Sequence, residues 1–101
     1  MNGGKLILMG DWYGWFYPYS YNKITEDFGI IWNYGEICDD EYYDYANYCP
    51  LLSTYGLSPI ATYLTVGLGP LYVRGSTYLN VSPPAFAIVR GNPTSYGVGP
   101  D

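Results

Sequence analysis

Apolar positions in this chain come in short runs separated by glycine and proline. Segments 5–9, 13–17, 28–33, 60–66, 71–74, 77–81 and 85–90 are each of strand length, and several are rich in the β-branched and aromatic types that fit a pleated surface. Thirteen glycines and eight prolines supply the breaks, with turn signals at 33–35, 67–70, 74–76, 82–84 and 90–93. This pattern predicts a mainly β fold, a small antiparallel sandwich or barrel-like domain formed by the whole chain, 1–101. Within it, 1–93 is expected to be compact and 94–101 an irregular tail.

One segment has a different period. In EICDDEYYDYANYC, residues 36–49, Cys38, Tyr42, Tyr45 and Cys49 recur at helical spacing, and acids gather at the end where a helix dipole favours them. At most one short helix is expected, at about residues 36–48. A continuous helix would hold Cys38 and Cys49 about 16 Å apart, beyond the ~7 Å Cα limit of a disulfide. Helix and bridge therefore exclude each other. The alternatives are a Cys38–Cys49 disulfide in an oxidising compartment and two buried thiols in a reducing or sealed one.

Composition sharpens the picture. Charged residues make up 13% of the 101, against ~25% in ordinary globular proteins, while fourteen tyrosines supply surface that is apolar in the ring and polar at the tip. The net charge of −5 is uneven: residues 1–49 hold eight acids against Lys5 and Lys23, whereas residues 50–101 hold Asp101 against Arg74 and Arg90. Four dispersed basic residues cannot supply the phosphate contacts that nucleic-acid binding needs. Residues 45–73 carry no charge, but prolines and glycines interrupt them too often for a membrane span. The apolar run after Lys5 is too short for a signal-peptide core, so no signal peptide is recognisable.

Catalytic chemistry is sparsely equipped. The chain has no histidine, no nucleophile elbow, no phosphate-binding loop and no dinucleotide fingerprint. Two cysteines cannot complete a zinc site, and the acids Glu36, Asp39, Asp40, Glu41 and Asp44 lack the spacing of a calcium loop. A carboxylate pair flanking the aromatic stretch, Asp11 and Glu26, is compatible by residue type with sugar hydrolysis, but so small a domain offers no deep cleft. No catalytic, cofactor or metal residue is assigned, and the chain is expected not to be an enzyme.

The aromatic stretch WYGWFYPYSY, residues 12–21, holds seven aromatics in ten positions. If extended, it points Tyr13, Trp15, Tyr17, Tyr19 and Tyr21 to one side, and Pro18 places it at a sheet edge. Trp12 and this row are the candidate interaction residues. Core, subunit interface and sugar-stacking platform all remain open for them.

The stretch YGLSPIATYLTVGLGPLYVRGSTYLNVSPPAFAIV resembles the C-terminal part of C-type-lectin-like modules of phage tail and bacterial surface proteins. In those modules a Trp-x-x-Ser-Pro-like segment precedes a hairpin and a Val-x-Pro-Ala-like closing strand; residues 55–59 and 81–86 stand in those places. The resemblance covers residues 55–90. The chain departs from the pattern in having no tryptophan after Trp32 and in being shorter than the module. The resemblance implies a rigid scaffold presenting side chains to a receptor. Two functions are therefore expected. The first is a non-enzymatic structural subunit, such as a virion coat, decoration or tail component or an extracellular filament protein, meeting copies of itself or neighbouring subunits. The second is a lectin-like module recognising a glycan or cell-surface receptor.

Overall fold

The computed structural model describes residues 3–52, 54–55 and 58–99. Gly56 and Leu57 of the stretch carrying the lectin-like resemblance, and Pro100 and Asp101 of the expected tail, lie outside the described residues.

The order of elements is α1 (Tyr19–Thr25), a 3-10 turn (Glu26–Phe28), β1 (Ile30–Trp32), β2 (Glu36–Cys38), β3 (Leu51–Leu52), β4 (Thr54–Tyr55), α2 (Pro59–Thr65), β5 (Leu71–Tyr72), β6 (Leu79–Val81), β7 (Val89–Arg90) and β8 (Tyr96–Val98). The fold is mainly β and antiparallel. Its strands form four two-stranded ladders, β1–β6, β2–β8, β3–β5 and β4–β7. Every ladder joins a strand from residues 30–55 to one from residues 71–98, so none is a hairpin closed by a tight turn. The registers run Ile30 to Val81, Glu36 to Val98, Leu51 to Tyr72 and Thr54 to Arg90 at their first pairs.

Four expectations are corrected. Residues 36–48 are not helical: they begin with β2 and continue as a folded-back loop. The loop is closed by backbone bonds from Asp39 N–H to the Asn47 carbonyl (2.9 Å) and from Leu51 N–H to the Tyr42 carbonyl (2.9 Å). Asp39 Oδ1 accepts the N–H groups of both Glu41 and Tyr42, each at 2.9 Å, bonds of the kind that cap a helix, but the chain turns back on itself instead of continuing helically. Tyr45, at φ 62°, is outside the helical region altogether.

Residues 60–66, expected as a strand, lie mostly in α2. Ser58 caps it, its Oγ accepting from Ala61 N–H at 3.1 Å, and Pro59 fits the first turn, where no N–H is needed. Ala61 and Thr65 form its buried face, with Thr65 Oγ1 donating to the Ala61 carbonyl. The strand propensity of Ile, Thr and Tyr loses to the cap and to this burial. The Ser58-Pro59 pair that carries the lectin-like resemblance thus opens a helix.

The segments 5–9 and 13–17 form no strand. In the second, Trp15 N–H donates to the Trp12 carbonyl at 2.8 Å, closing a turn, and Pro18 then leads into α1. Finally, the segment expected as an irregular tail contains β8, which pairs with β2 along Glu36–Cys38. Its side chains Thr94 and Ser95 also reach into the fold, as described below.

The molecule measures 43 × 34 × 18 Å. Stacked sheets lie ~10 Å apart before outer side chains are added, so the short dimension leaves little room for a sealed apolar layer. Among the described residues the buried apolar side chains are Trp32, Cys38, Cys49 and Ala61. Polar clamps do much of the remaining work. Asn22 on α1 accepts Trp32 N–H at 2.7 Å and donates to the Trp32 carbonyl at 3.0 Å, tying helix to β1. Thr25 Oγ1 donates to the Tyr21 and Ile30 carbonyls. Gly29 (φ 85°) precedes β1 because a Cβ there would lie 2.0 Å from the Ser82 carbonyl oxygen.

Candidate functional site

The aromatic stretch is divided three ways by its turn and helix. Phe16 and Tyr21 turn inward onto Trp32, with ring centroids 5.0, 5.4 and 5.2 Å apart around the triangle. Tyr17, Tyr19 and Tyr34 form an outer shelf at 4.8, 5.4 and 6.2 Å, and Tyr13 meets Tyr34 edge-on at 6.0 Å. Trp12 and Trp15 face a groove. The expected single row therefore does not exist as one surface: α1 rotates Tyr21 away from Tyr17 and Tyr19.

The groove has a volume of about 350 Å³ and is lined by Asp11, Trp12, Trp15, Glu36, Tyr48, Arg74 and Gly75. Backbone bonds bring these distant positions together: Gly75 N–H donates to the Tyr48 carbonyl (3.0 Å), Ile37 N–H to the Ser76 carbonyl (2.9 Å) and Val73 N–H to the Pro50 carbonyl (3.2 Å). The 74–76 turn is thereby pressed against β2 and residue 48. Gly75, at φ 57°, closes that turn without a side chain intruding; its missing Cβ would stand 3.7 Å from both Glu36 Oε1 and Trp12 Cβ.

Asp11 Oδ1 accepts Trp12 N–H at 2.7 Å, fixing the first tryptophan at the groove wall. The Trp12 indole and the Glu36 carboxylate share the groove wall. Burial pushes the Glu36 carboxyl above its usual range, and the indole draws it part of the way back. Trp15 is 82% exposed. The Arg74 guanidinium carbon lies 5.7 Å above the Tyr45 ring centroid, and among the described residues Arg74 makes no ion pair.

Beneath the neighbouring loop lies a polar knot. Asp39 is fully buried. Its oxygens accept from Glu41 N–H, Tyr42 N–H, Thr94 Oγ1 (2.8 Å to Oδ2) and Ser95 Oγ (2.8 Å). Burial alone would raise its pKa, but these bonds together overcome it and hold the carboxyl below the usual range. Asp40 accepts from Asn47 Nδ2 and from the Tyr96 hydroxyl, both at 3.0 Å. That contact, with a smaller contribution from burial, raises the Tyr96 pKa.

Cys38 and Cys49 are free thiols, both buried; burial, then Glu36 and Asp40, raises the Cys38 pKa, which makes it a poor nucleophile. The acidic cluster is thus dispersed into separate roles, and among the described residues no three potential ligands converge as a metal centre requires. Glu26 is exposed in the 3-10 turn, outside the groove that contains Asp11.

A second cavity, about 680 Å³, opens between the ladders and is lined by Ile30, Ile37, Leu52, Val73, Val81, Phe86 and Ile88, among others, with Arg90 the one charged side chain. Ser76, Thr77, Tyr78 and Asn80 supply the rest of its polar lining.

Trp12 and Trp15, singled out by aromatic density in the sequence, both line the groove. Tyr34, Glu36, Tyr48 and Arg74 were not so singled out, because each reaches the shelf or groove through long-range pairing. The one local hint was the Arg74-Gly75-Ser76 turn signal. Comparison with known proteins finds no matching family model, no matching curated protein and no matching solved structure. The residues themselves carry the functional reading.

Proposed function

We propose that this chain is a non-enzymatic structural subunit of a multimeric assembly, of the kind that builds virion coats and tails or extracellular filaments. One observation carries this. Among the described residues, twenty-five large apolar or aromatic side chains are exposed, from Leu6, Ile7 and Met9 through Tyr17 to Phe86 and Val98, while the buried apolar set has four members. A soluble monomer rarely leaves so many large apolar side chains against water for so few buried, and covering them with neighbours is the simplest remedy.

The shelf of Tyr13, Tyr17, Tyr19 and Tyr34 suits such a contact. Tyrosine buries its ring and keeps its hydroxyl satisfied at an interface rim. Burying two or three such rings contributes several kcal/mol at ~25 cal/mol per Å², before the cost of association. The exposed 5–9 segment, strand-like in sequence and unpaired here, and the open apolar cavity between ladders are further surfaces that neighbours would fill. Light scattering with negative-stain microscopy on native material tests the proposal: multimers are expected, and a well-behaved monomer at high micromolar concentration would overturn it.

A further inference from the structure

We propose that the groove between Trp12, Trp15, Glu36 and Arg74 is a binding site for a neutral saccharide, independent of the assembly contacts on the tyrosine shelf. The groove's chemistry narrows the ligand by elimination. A purely apolar molecule would strip water from Asp11, Glu36 and Arg74 without replacing their hydrogen bonds, which is costly. An anion would face two carboxylates, and the pull of those carboxylates on a cation is partly cancelled by the Arg74 guanidinium beside them.

What remains is a neutral molecule that has an apolar face to lie on an indole and a rim of hydroxyls that both donate and accept. A pyranose ring has that form. Its C–H face would rest on Trp15, whose 82% exposure leaves the indole free for it. Hydroxyls would donate to the carboxylates of Asp11 and Glu36 and accept from Arg74, which is free of ion pairs among the described residues. The volume of about 350 Å³ is at the small end for ligand sites and matches one or two sugar rings rather than a long chain.

The groove is also held ready before any ligand arrives. Asp11 fixes Trp12 through its main chain, and Gly75 is held by the Tyr48 carbonyl. A site fixed in this way loses less freedom on binding.

The test is a titration of the full-length protein with the neutral disaccharides cellobiose, chitobiose, lactose and maltose, followed by tryptophan fluorescence and by NMR, with choline and sialyllactose as cationic and anionic comparisons. At least one neutral disaccharide is expected to bind and to perturb the indole signals. Trp15→Ala is expected to weaken that binding about tenfold, the upper end of what one aromatic contact contributes, with the dichroism unchanged. Trp15→Phe should retain most of the affinity, Arg74→Ala should lower it, and Tyr17→Ser should leave it unaltered. Failure of every neutral disaccharide to bind at tens of millimolar would overturn the proposal. So would tighter binding of choline or sialyllactose, or sugar affinity unchanged by Trp15→Ala. Multimers that persist in a protein with no sugar affinity would refute the groove while leaving the assembly proposal standing.

Discussion

Asp39 and Trp15 occupy opposite places from those their chemistry would suggest. The carboxylate has no exposed surface, whereas the indole is 82% exposed. Around Asp39, groups from residues 41, 42, 94 and 95 converge so that a buried charge is fully hydrogen-bonded. Around Trp15 and the adjacent shelf, aromatic rings touch one another but are left facing water. The first region holds the single chain together through polar bonds that a thin slab can accommodate. The second leaves apolar area exposed, and the assembly proposed above would cover it. On that proposal, stability within the chain and affinity between molecules fall to different regions and different forces.

Breaking the first region should have the largest effect. Asp39→Ala removes a charged acceptor and leaves the Glu41 and Tyr42 N–H groups and two hydroxyls without it, a loss of about 3 kcal/mol or more. For a small domain with roughly 5 kcal/mol in hand, only about 2 kcal/mol would remain, and the unfolding midpoint would fall by more than half. Urea unfolding followed by dichroism measures this, and an unchanged midpoint would refute the structural role of the knot. Conversely, Tyr17→Ser combined with Tyr19→Ser should leave that midpoint nearly unmoved while weakening assembly, by about 2 kcal/mol at ~25 cal/mol per Å², as read from concentration-dependent light scattering. Unfolding of the double variant instead would mean that the shelf belongs to the core.

Acid should separate the regions more gently. The pKa of Asp39 is lower folded than unfolded, so its stabilisation is fully present above the ordinary carboxylate value of about 4 and is lost as pH falls through the depressed folded value. Glu36 acts in the opposite sense. Its raised pKa weakens the folded state at neutral pH and relieves that cost as pH falls through the raised value. Mild acid should therefore be tolerated and stronger acid should not, and Asp39→Asn should flatten the lower limb of a pH–stability curve. The smallest effect is expected from removing the Trp32 nitrogen alone, since its buried indole N–H has no partner among the described residues. Trp32→Phe removes an unsatisfied donor and some ring volume together, so its net cost should stay within about 1 kcal/mol. Trp32→Ala, which empties the triangle with Phe16 and Tyr21, should cost about 3 kcal/mol. Denaturant titration of both variants separates the contribution of the ring from that of its nitrogen.

Much of the local chemistry could be read along the chain. Breaker density and short apolar runs foretold a mainly β antiparallel fold. The expected strands at 28–33, 71–74, 77–81 and 85–90 contain β1, β5, β6 and β7. The start of α2 was also written in Ser58-Pro59, a cap followed by a residue with no N–H to satisfy, but the β-branched residues after it outweighed that signal in a strand-based reading. In residues 36–49 the helical spacing of Cys38, Tyr42, Tyr45 and Cys49 was real as a pattern. What overrode it was the pairing of Asp39 with Asn47 and of Leu51 with Tyr42 across the folded-back loop, which helical period does not register.

The sequence by itself determined that tyrosine would have to cover a surface poor in charge, that histidine-based catalysis is absent, and that strands would be short. Tertiary structure alone decided which strand pairs with which, since alternation assigns a side chain to a face but names no partner for the strand. It also decided which acid is buried. Asp39 can lose its water only when Thr94 and Ser95 arrive from the far end of the chain, and β8 brings them there by pairing with β2. The same long-range pairing set the turn at Gly75 against Glu36, and only then did Trp12 and Trp15 acquire a groove to face. A side chain's type is local, whereas its desolvation and its neighbours depend on contacts that close loops of tens of residues.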